Sequence, residues 1–204
     1  LADDAIYLER VLCKESGGIQ DQIAASFGGF NKISFNADGY TVSPVIISPE
    51  RKLRLNDNLM LFFTGFSRFS SDIQVEAEKS LKSKEAQLLE MLQLVDEAEQ
   101  VLTSKTDLTE FGKLLDYTWK LKRGITSKVS TDSIDAIYDK AIKAGATGGK
   151  LLGAGGGGFL LFYVETEKQK NVLEALNNLL YVPFEFETAG TQVIHYTPES
   201  YEPR

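Results

Sequence analysis

Cysteine and histidine are each present only once in this chain, and their scarcity excludes whole classes of site. The single cysteine, Cys13, cannot form an internal disulfide, and helical spacing predicts that it lies on the buried face of its helix. The single histidine, His195, has no sequence partner that suggests a catalytic triad or a metal site, so we expect a structural role. No apolar run approaches the roughly 18 to 20 residues of a membrane span.

Positive charge is also in deficit, because the chain has a formal net charge of -7 and a pI near 4.9. This balance argues against a general binder of nucleic acid or membrane surfaces, so an anionic ligand needs a local basic cluster and backbone N–H groups. The 204 residues are 43% hydrophobic and 25% charged, which is typical of a globular protein with one large or two small domains. A cytoplasmic setting fits this composition best.

Glycine is concentrated in the segment GGKLLGAGGGGFLLFYV, Gly148 to Val164, where Gly155 to Gly158 are consecutive. The flanking apolar runs predict a strand on each side of a bare loop. A dinucleotide fingerprint is excluded because a strand follows where a helix is required. A P-loop is excluded because Ala144 replaces its first glycine and Leu151 its hydroxyl residue. A simple hairpin turn remains the alternative to a functional loop.

The first quarter of the chain predicts two helices and a hairpin. Helical spacing covers Ala2 to Lys14, and a short helix follows and ends at Gly28 and Gly29. Strands over residues 30–35 and 40–47 are joined by a turn of the hairpin type. Because the sequence begins without methionine at a predicted helix, we expect a fragment or processed form of a longer protein.

The rest of the chain predicts alternating strands and helices after a connection over residues 48–58. A strand is expected at 59–65, then helices at 71–102, 108–122 and 131–143, the first burying Leu81, Leu88, Leu89, Leu92 and Val95. After the pair of strands around the glycines come a helix at 167–180 and strands at 183–187 and 191–196. This order is an α+β, split βαβ or ferredoxin-like layout with inserted helices, and we place a domain boundary near Arg54.

Three places are candidates for chemistry. Asp21 begins a short helix, whose N-terminus favours the carboxylate form, so Asp21 could accept a proton or simply cap the helix. Arg68 precedes a predicted helix among hydroxyl residues, which indicates either an anion site or an ordinary capped helix. A basic cluster lies between helices and is either functional or solvated surface; it comprises Lys120, Lys122, Arg123 and Lys128.

Two segments resemble the GHMP kinases. GGIQDQIAASFGGFNKISF, from Gly17, is similar to the G-x-x-D-Q stretch of galactokinases, and KLLGAGGGGFLLFYV is similar to the third, glycine-rich motif of the superfamily. FTGFSRFSSDI, around Arg68, and the stretch from Trp119 to Phe159 resemble the bacterial D-glycero-D-manno-heptose 7-phosphate kinases most. The resemblance spans almost the whole chain.

The resemblance implies a GHMP kinase fold and ATP-dependent phosphorylation of the anomeric hydroxyl of heptose 7-phosphate, with Mg²⁺ bridging phosphate oxygens. Asp21 would be the base or orient the hydroxyl, with Gly18 and Gln22 as substrate-binding neighbours. Arg68, with Lys122 or Arg123, is our hypothesis for the contact with the sugar's phosphate. The ATP-binding residues would be Gly153, Ala154, Gly155, Gly156, Gly157 and Gly158. The implied partners are a sugar phosphate and ATP, not nucleic acid or membrane, and a homodimer is compatible.

One departure from the family pattern limits these expectations. The second motif, P-x-x-x-G-L-x-S-S-A, is absent from these residues, as is the amino-terminal motif. We therefore expect residues 1–54 to end the amino-terminal domain, residues 55–204 to form the carboxy-terminal domain, and this portion alone to be inactive. Another sugar 1-kinase of galactokinase or fucokinase type, or a non-catalytic ligand-binding fragment, are the alternatives.

Overall fold

The computed structural model describes residues 1–15, 17–65, 81–126, 129–153 and 155–197. The chain divides into two compact units, with a boundary between Pro44 and Val45. The first contains Leu1–Lys14 and Gly18–Pro44 together with the segment from Phe186, and the second contains Val45–Glu185. The boundary near Arg54 stays a prediction about domain limits.

The first unit is built from helix and hairpin, as the sequence predicts. The helix Ala2–Tyr7 continues as a π-helix over Leu8–Leu12, and a second helix covers Gln20–Phe27. The strands β1, Asn31–Asn36, and β2, Gly39–Pro44, pair antiparallel. Gly28 ends the second helix with a φ of 61° and Gly29 follows with 78°, backbone values that favour glycine.

Two predictions for the first unit are wrong. Cys13 is exposed, as are Val11 and Leu12 of the helix that it follows, so the expected buried face is not formed there. Residues 191–196 form no strand: Thr191 donates its N–H to the Ala25 carbonyl, while Val193 and Ile194 are 81% and 97% exposed. His195 is exposed on the same segment, with Nε2 2.9 Å from the Thr197 hydroxyl.

The second unit contains a four-stranded antiparallel sheet in the order β4-β5-β3-β6. Its strands are β3, Leu59–Phe63; β4, Gly148–Leu151; β5, Phe159–Tyr163; and β6, Leu180–Val182. The predicted strands on both sides of the glycines are confirmed as β4 and β5. The predicted strand over residues 183–187 is wrong, because the residues that pair with β3 are Leu180 to Val182.

Helices flank this sheet. They cover Pro49–Asp57, Glu85–Thr103, Thr109–Arg123, Asp132–Ala144 and Gln169–Ala175, with 3₁₀ turns at Leu81–Lys84 and Thr166–Lys168. The expected connection over residues 48–58 is thus wrong. Ser48 caps the first of these helices by accepting the Arg51 N–H at 3.2 Å, and proline occupies the first turn.

The second unit's core forms where helices cover one face of the sheet. Trp119, Ile134, Tyr138, Phe162 and Val172 are among its buried members. Trp119 is fully buried in this core and its ring centroid lies 6.2 Å from that of Tyr138, so it packs within the core.

The apolar face predicted for the long helix is wrong. Leu89, Leu92 and Val95 are about half exposed or more, at 53%, 64% and 46%, whereas Leu94 and Leu102 are buried. The side chain of Leu81 and the first part of that predicted helix, residues 71–80, lie outside the described residues. Within the described ranges, no helix is both long and apolar enough to cross a membrane.

Candidate functional site

The glycine loop, residues 152–158, joins β4 to β5 and is closed at its base by a 2.8 Å bond from the Leu152 N–H to the Phe159 carbonyl. Gly153, Gly155, Gly156 and Gly158 have φ values of 75°, 123°, 73° and 101°, which side-chain-bearing residues rarely adopt. Glycine is therefore required here by the backbone itself. Ala154, expected in the ATP site, lies outside the described residues.

Two neighbouring segments hold the loop in place. Gly156 donates its N–H to the Val129 carbonyl at 3.0 Å, and a Cβ added at Gly155 would lie 2.7 Å from that oxygen. The backbone N–H and hydroxyl of Thr64 both lie 2.9 Å from the Gly158 carbonyl that accepts their bonds. The loop is thus a fixed element of the second unit. A Cβ at Gly153 or Gly158 would meet open space, so these two positions leave room beside the backbone.

The side chain of Lys122, from the helix Thr109–Arg123, contacts the start of this loop. Its Nζ donates a 2.6 Å hydrogen bond to the Gly153 carbonyl. Burial, and then the positive charge of Lys150, lower the pKa of Lys122 to about 8. Burial also lowers the pKa of Lys150, which lies in β4 two residues before the loop.

The described residues of the predicted basic cluster bond different partners. Lys120 pairs with Asp116 at 2.6 Å, and Arg123 pairs with Asp135 at 3.2 Å. Ser130 also donates to Asp135 at 2.6 Å. Of the described residues expected near the sugar's phosphate, Lys122 bonds the glycine loop and Arg123 pairs with Asp135 instead. Arg68, also expected there, and Lys128 of the basic cluster lie outside the described residues.

A buried tyrosine fastens the strand that leads into the loop. The Tyr138 hydroxyl accepts the Gly149 N–H at 3.2 Å and donates to Asp116 at 2.8 Å. Burial, followed by the bond to Asp116, raises the pKa of Tyr138 well above its usual range. The hydroxyl therefore stays protonated and satisfies an N–H group of the edge strand β4.

Asp21 lies in the first unit, exposed in the first turn of its helix. The N-cap position belongs to Ile19, so Asp21 is not the capping residue. The neighbouring Gln22 donates to Glu9 at 2.6 Å, and its own buried carboxamide oxygen has no partner among the described residues. Gly18 is exposed, and a Cβ there would lie 2.0 Å from the Gln20 side-chain oxygen.

Lys150 is the residue that sequence reasoning missed. It stands in GGKLLG, directly before the glycine loop, where the sequence analysis assigns it no role. A lone lysine in an apolar strand beside such a loop is the signal that could have identified it, since lysine is rarely buried without a partner.

Comparisons with known proteins locate a shared domain. Residues 94–182 match the family model described as GHMP kinases C terminal. D-glycero-alpha-D-manno-heptose 7-phosphate kinase from Campylobacter jejuni is 36% identical over 163 residues, which are 78% of this chain and 48% of that protein. L-fucokinase/L-fucose-1-P guanylyltransferase from Bacteroides fragilis is 30% identical over 76% of this chain and 17% of that protein.

Solved structures share the fold. A D-glycero-D-manno-heptose 1-phosphate kinase from Bacteroides thetaiotaomicron matches with a TM-score of 0.65 and 30% identity, covering 93% of this chain and 52% of that one. A mevalonate kinase matches with a TM-score of 0.70 at 24% identity over 92% of this chain and 56% of that one, which supports the fold alone. The chain spans about half the length of the Campylobacter relative, at 48%.

Proposed function

Because the chain carries the carboxy-terminal domain of the GHMP kinases, we propose that it is part of an ATP-dependent sugar kinase. The acceptor in this proposal is the anomeric hydroxyl of D-glycero-D-manno-heptose 7-phosphate. The product would be a heptose 1,7-bisphosphate for nucleotide-sugar and surface-glycan synthesis in the cytoplasm. The 36% identity to the Campylobacter kinase supports this choice of sugar.

The observation that carries the proposal is the glycine loop with a cation at its start. Gly153 and Gly158 leave open space beside the backbone, and Lys122 presents its ammonium group at the Gly153 carbonyl. Phosphoryl transfer requires mainly positioning and charge neutralisation, which a fixed loop and a lysine supply. ATP would bind along Gly153, Ala154 and Gly155 to Gly158, and Mg²⁺ would enter with its phosphates.

The remaining roles follow the family resemblance. Asp21 would orient or deprotonate the sugar hydroxyl, and Gly18 and Gln22 would bind the sugar, for which the unpartnered oxygen of Gln22 is an available acceptor. Arg68 and Arg123 would contact the sugar's phosphate. Arg123 would have to exchange its ion pair with Asp135 for that contact.

A fucokinase is the alternative that a specific observation favours, namely the 30% identity to the Bacteroides fragilis protein. The two sugars differ in a way that the site must recognise, because fucose has no phosphate. A site built to bind a phosphate rejects a ligand without one by a factor on the order of 10⁴.

The test compares heptose 7-phosphate, fucose and galactose as acceptors for ATP. It uses the complete protein as its gene encodes it, since this chain spans 48% of the Campylobacter relative. We expect turnover with heptose 7-phosphate and about 10⁴-fold lower kcat/KM with the other sugars. Equal or faster phosphorylation of fucose would overturn the assignment of the sugar.

The role of Asp21 is tested in the same assay. Asp21→Asn should lower kcat by about 10²-fold to 10⁴-fold if the carboxylate accepts the hydroxyl proton. Asp38→Asn, at an exposed position of the hairpin turn, makes the same chemical change and should leave kcat unaltered. Near-normal turnover of Asp21→Asn would exclude a general base there.

A further inference from the structure

Two lysines that have no acidic partner among the described residues lie beside the glycine loop. Lys122 is in the last turn of the helix Thr109–Arg123, and Lys150 is in β4. Throughout the described parts of the chain, no carboxylate lies within ion-pair distance of either ammonium group, although the neighbouring Lys120 and Arg123 both have such partners. In a chain with a net charge of -7, this local surplus of positive charge is unusual.

The two lysines lie at the same end of the loop, because Lys122 bonds the Gly153 carbonyl and Lys150 lies in β4 shortly before Gly153. The charge of Lys150 lowers the pKa of Lys122, and burial lowers the pKa of both. Two like charges, each partly removed from water, destabilise the folded state. Like charges held together at a cost in stability are typical of a site that binds an oppositely charged ligand.

Hydrogen-bonding capacity is also left over. An ammonium group has three donors, and Lys122 uses one on the Gly153 carbonyl, which is uncharged. The adjacent Gly153 leaves open space on the side where a Cβ would project. A group with several acceptor oxygens and a full negative charge fits between these donors.

We propose that Lys122 and Lys150 together bind one phosphate group at the β4 end of the glycine loop. Phosphate fits better than a carboxylate because it offers three oxygens and a charge near -2 to two lysines. The proposal deepens the proposed function by adding Lys150 as a binding residue, and it rests on that function only for the source of the phosphate. That source is either the nucleotide or the phosphomonoester of the sugar.

The test measures binding by the complete protein with calorimetry, using inorganic phosphate, ATP and heptose 7-phosphate as separate ligands. Lys150→Met is the decisive variant, because Lys150 has no ion pair with any described residue whose loss would disturb the fold. Lys140→Met, on the exposed side of the helix Asp132–Ala144, is the control with the same change in charge. Lys122→Met is informative as a second variant, although it also removes the bond to Gly153.

We expect Lys150→Met and Lys122→Met each to weaken inorganic phosphate binding about tenfold to hundredfold, as the loss of a charge-assisted bond predicts. The same loss for ATP identifies the nucleotide as the source, and the same loss for heptose 7-phosphate identifies the sugar. Unchanged affinities of Lys150→Met for all three ligands would overturn the proposal. An equal loss in Lys140→Met would overturn it too, by showing a general effect of charge.

Failure of this site and failure of the kinase proposal give different results. If Lys150→Met retains every affinity while the parent phosphorylates heptose 7-phosphate, the lysine site is refuted and the proposed function stands. If phosphate binding depends on both lysines but no sugar is phosphorylated, the site stands and the proposed function is refuted.

Discussion

The backbone of Gly148 lies so close to the carbonyl oxygen of Gly112 that a Cβ added at Gly148 would be 1.9 Å from that oxygen. A Cβ at Gly112 would in turn lie 2.9 Å from the Tyr163 ring. The helix Thr109–Arg123 and the strand β4 therefore pack backbone against backbone. This contact fixes the strand that carries Lys150 and leads into the glycine loop.

Gly148→Ala should separate the helix from β4. Overpacking of this kind costs about 1–3 kcal/mol, and here the clash is with backbone rather than with a movable side chain. The measurement is urea unfolding followed by the fluorescence of Trp119, which is the only tryptophan and is buried in the second unit. We expect a lower free energy of unfolding by that amount.

Gly124→Ala is the control for this prediction. Its added Cβ would meet mainly the side-chain amide of Gln87, at 2.5 Å, and its φ of -74° suits alanine. The flexible side chain can move at the cost of at most its hydrogen bond to the Leu121 carbonyl, so we expect a smaller loss than at Gly148, below about 1 kcal/mol. Similar losses in both variants would contradict the backbone contact as the cause.

The elements that the sequence predicts well are those with signals inside their own span. The helix Asp132–Ala144 has Thr131 as a cap that accepts the Ile134 N–H and Gly145 at a φ of 118° as a stop. The strands around the glycine loop have apolar runs on both sides. Local backbone preference and tertiary structure agree at these places.

The errors have two causes, an overlooked local signal and contacts that only the fold creates. The helix Pro49–Asp57 had a visible start signal in Ser48 and Pro49, but its polar composition favoured a connection. The site shows the second cause. The segment GGKLLG predicts that Lys150 lies in a strand, but only the fold brings it near Lys122, which precedes it by 28 residues in the chain. Nothing in local spacing encodes that proximity.

Alanine at Gly155 and at Gly153 should have unequal effects. Both positions have positive φ, which costs a residue with a side chain about 1–2 kcal/mol at the 75° of Gly153 and more at the 123° of Gly155. Only at Gly155 does the added Cβ also approach the Val129 backbone, at 2.7 Å. We expect Gly155→Ala to lose at least about 1 kcal/mol more than Gly153→Ala in urea unfolding. Equal losses would show that the loop does not rest on Val129.

Tyr138→Phe should weaken the edge strand. It removes the hydroxyl that accepts the Gly149 N–H and leaves that buried group unpaired, at a cost of about 1–3 kcal/mol. Amide hydrogen exchange at Gly149 should accelerate relative to Leu160 in the neighbouring strand β5. Tyr117→Phe is the control, since its hydroxyl bonds Glu90 on the surface and its loss should change stability by less than about 0.5 kcal/mol. Unchanged exchange at Gly149 in Tyr138→Phe would contradict the assigned bond.

Stability should depend on pH through Lys122. Its pKa is about 8 in the folded protein and about 10.4 when unfolded, so below pH 8 both states are protonated and the cost of the buried charge is fully present. Between these values the unfolded state binds more protons, so the free energy of unfolding rises with pH. The stability of the parent relative to Lys122→Met should therefore increase from pH 8 to 10, and the same comparison with Lys140→Met should be flat. A relative stability that falls over this range would contradict the lowered pKa.

Lys150→Met separates the two causes of that lowered pKa. Removing the positive charge of Lys150 should raise the pKa of Lys122 above 8, but burial, the larger cause, should keep it below the usual value of about 10.4. The measurement is an NMR titration of the Lys122 side chain in parent and variant. An unchanged pKa would mean that the two ammonium groups do not interact, and the shared phosphate site would lose its geometric basis. A rise together with thermal stability above that of the parent would show that Lys150 is retained at a cost to folding, as expected of a binding residue.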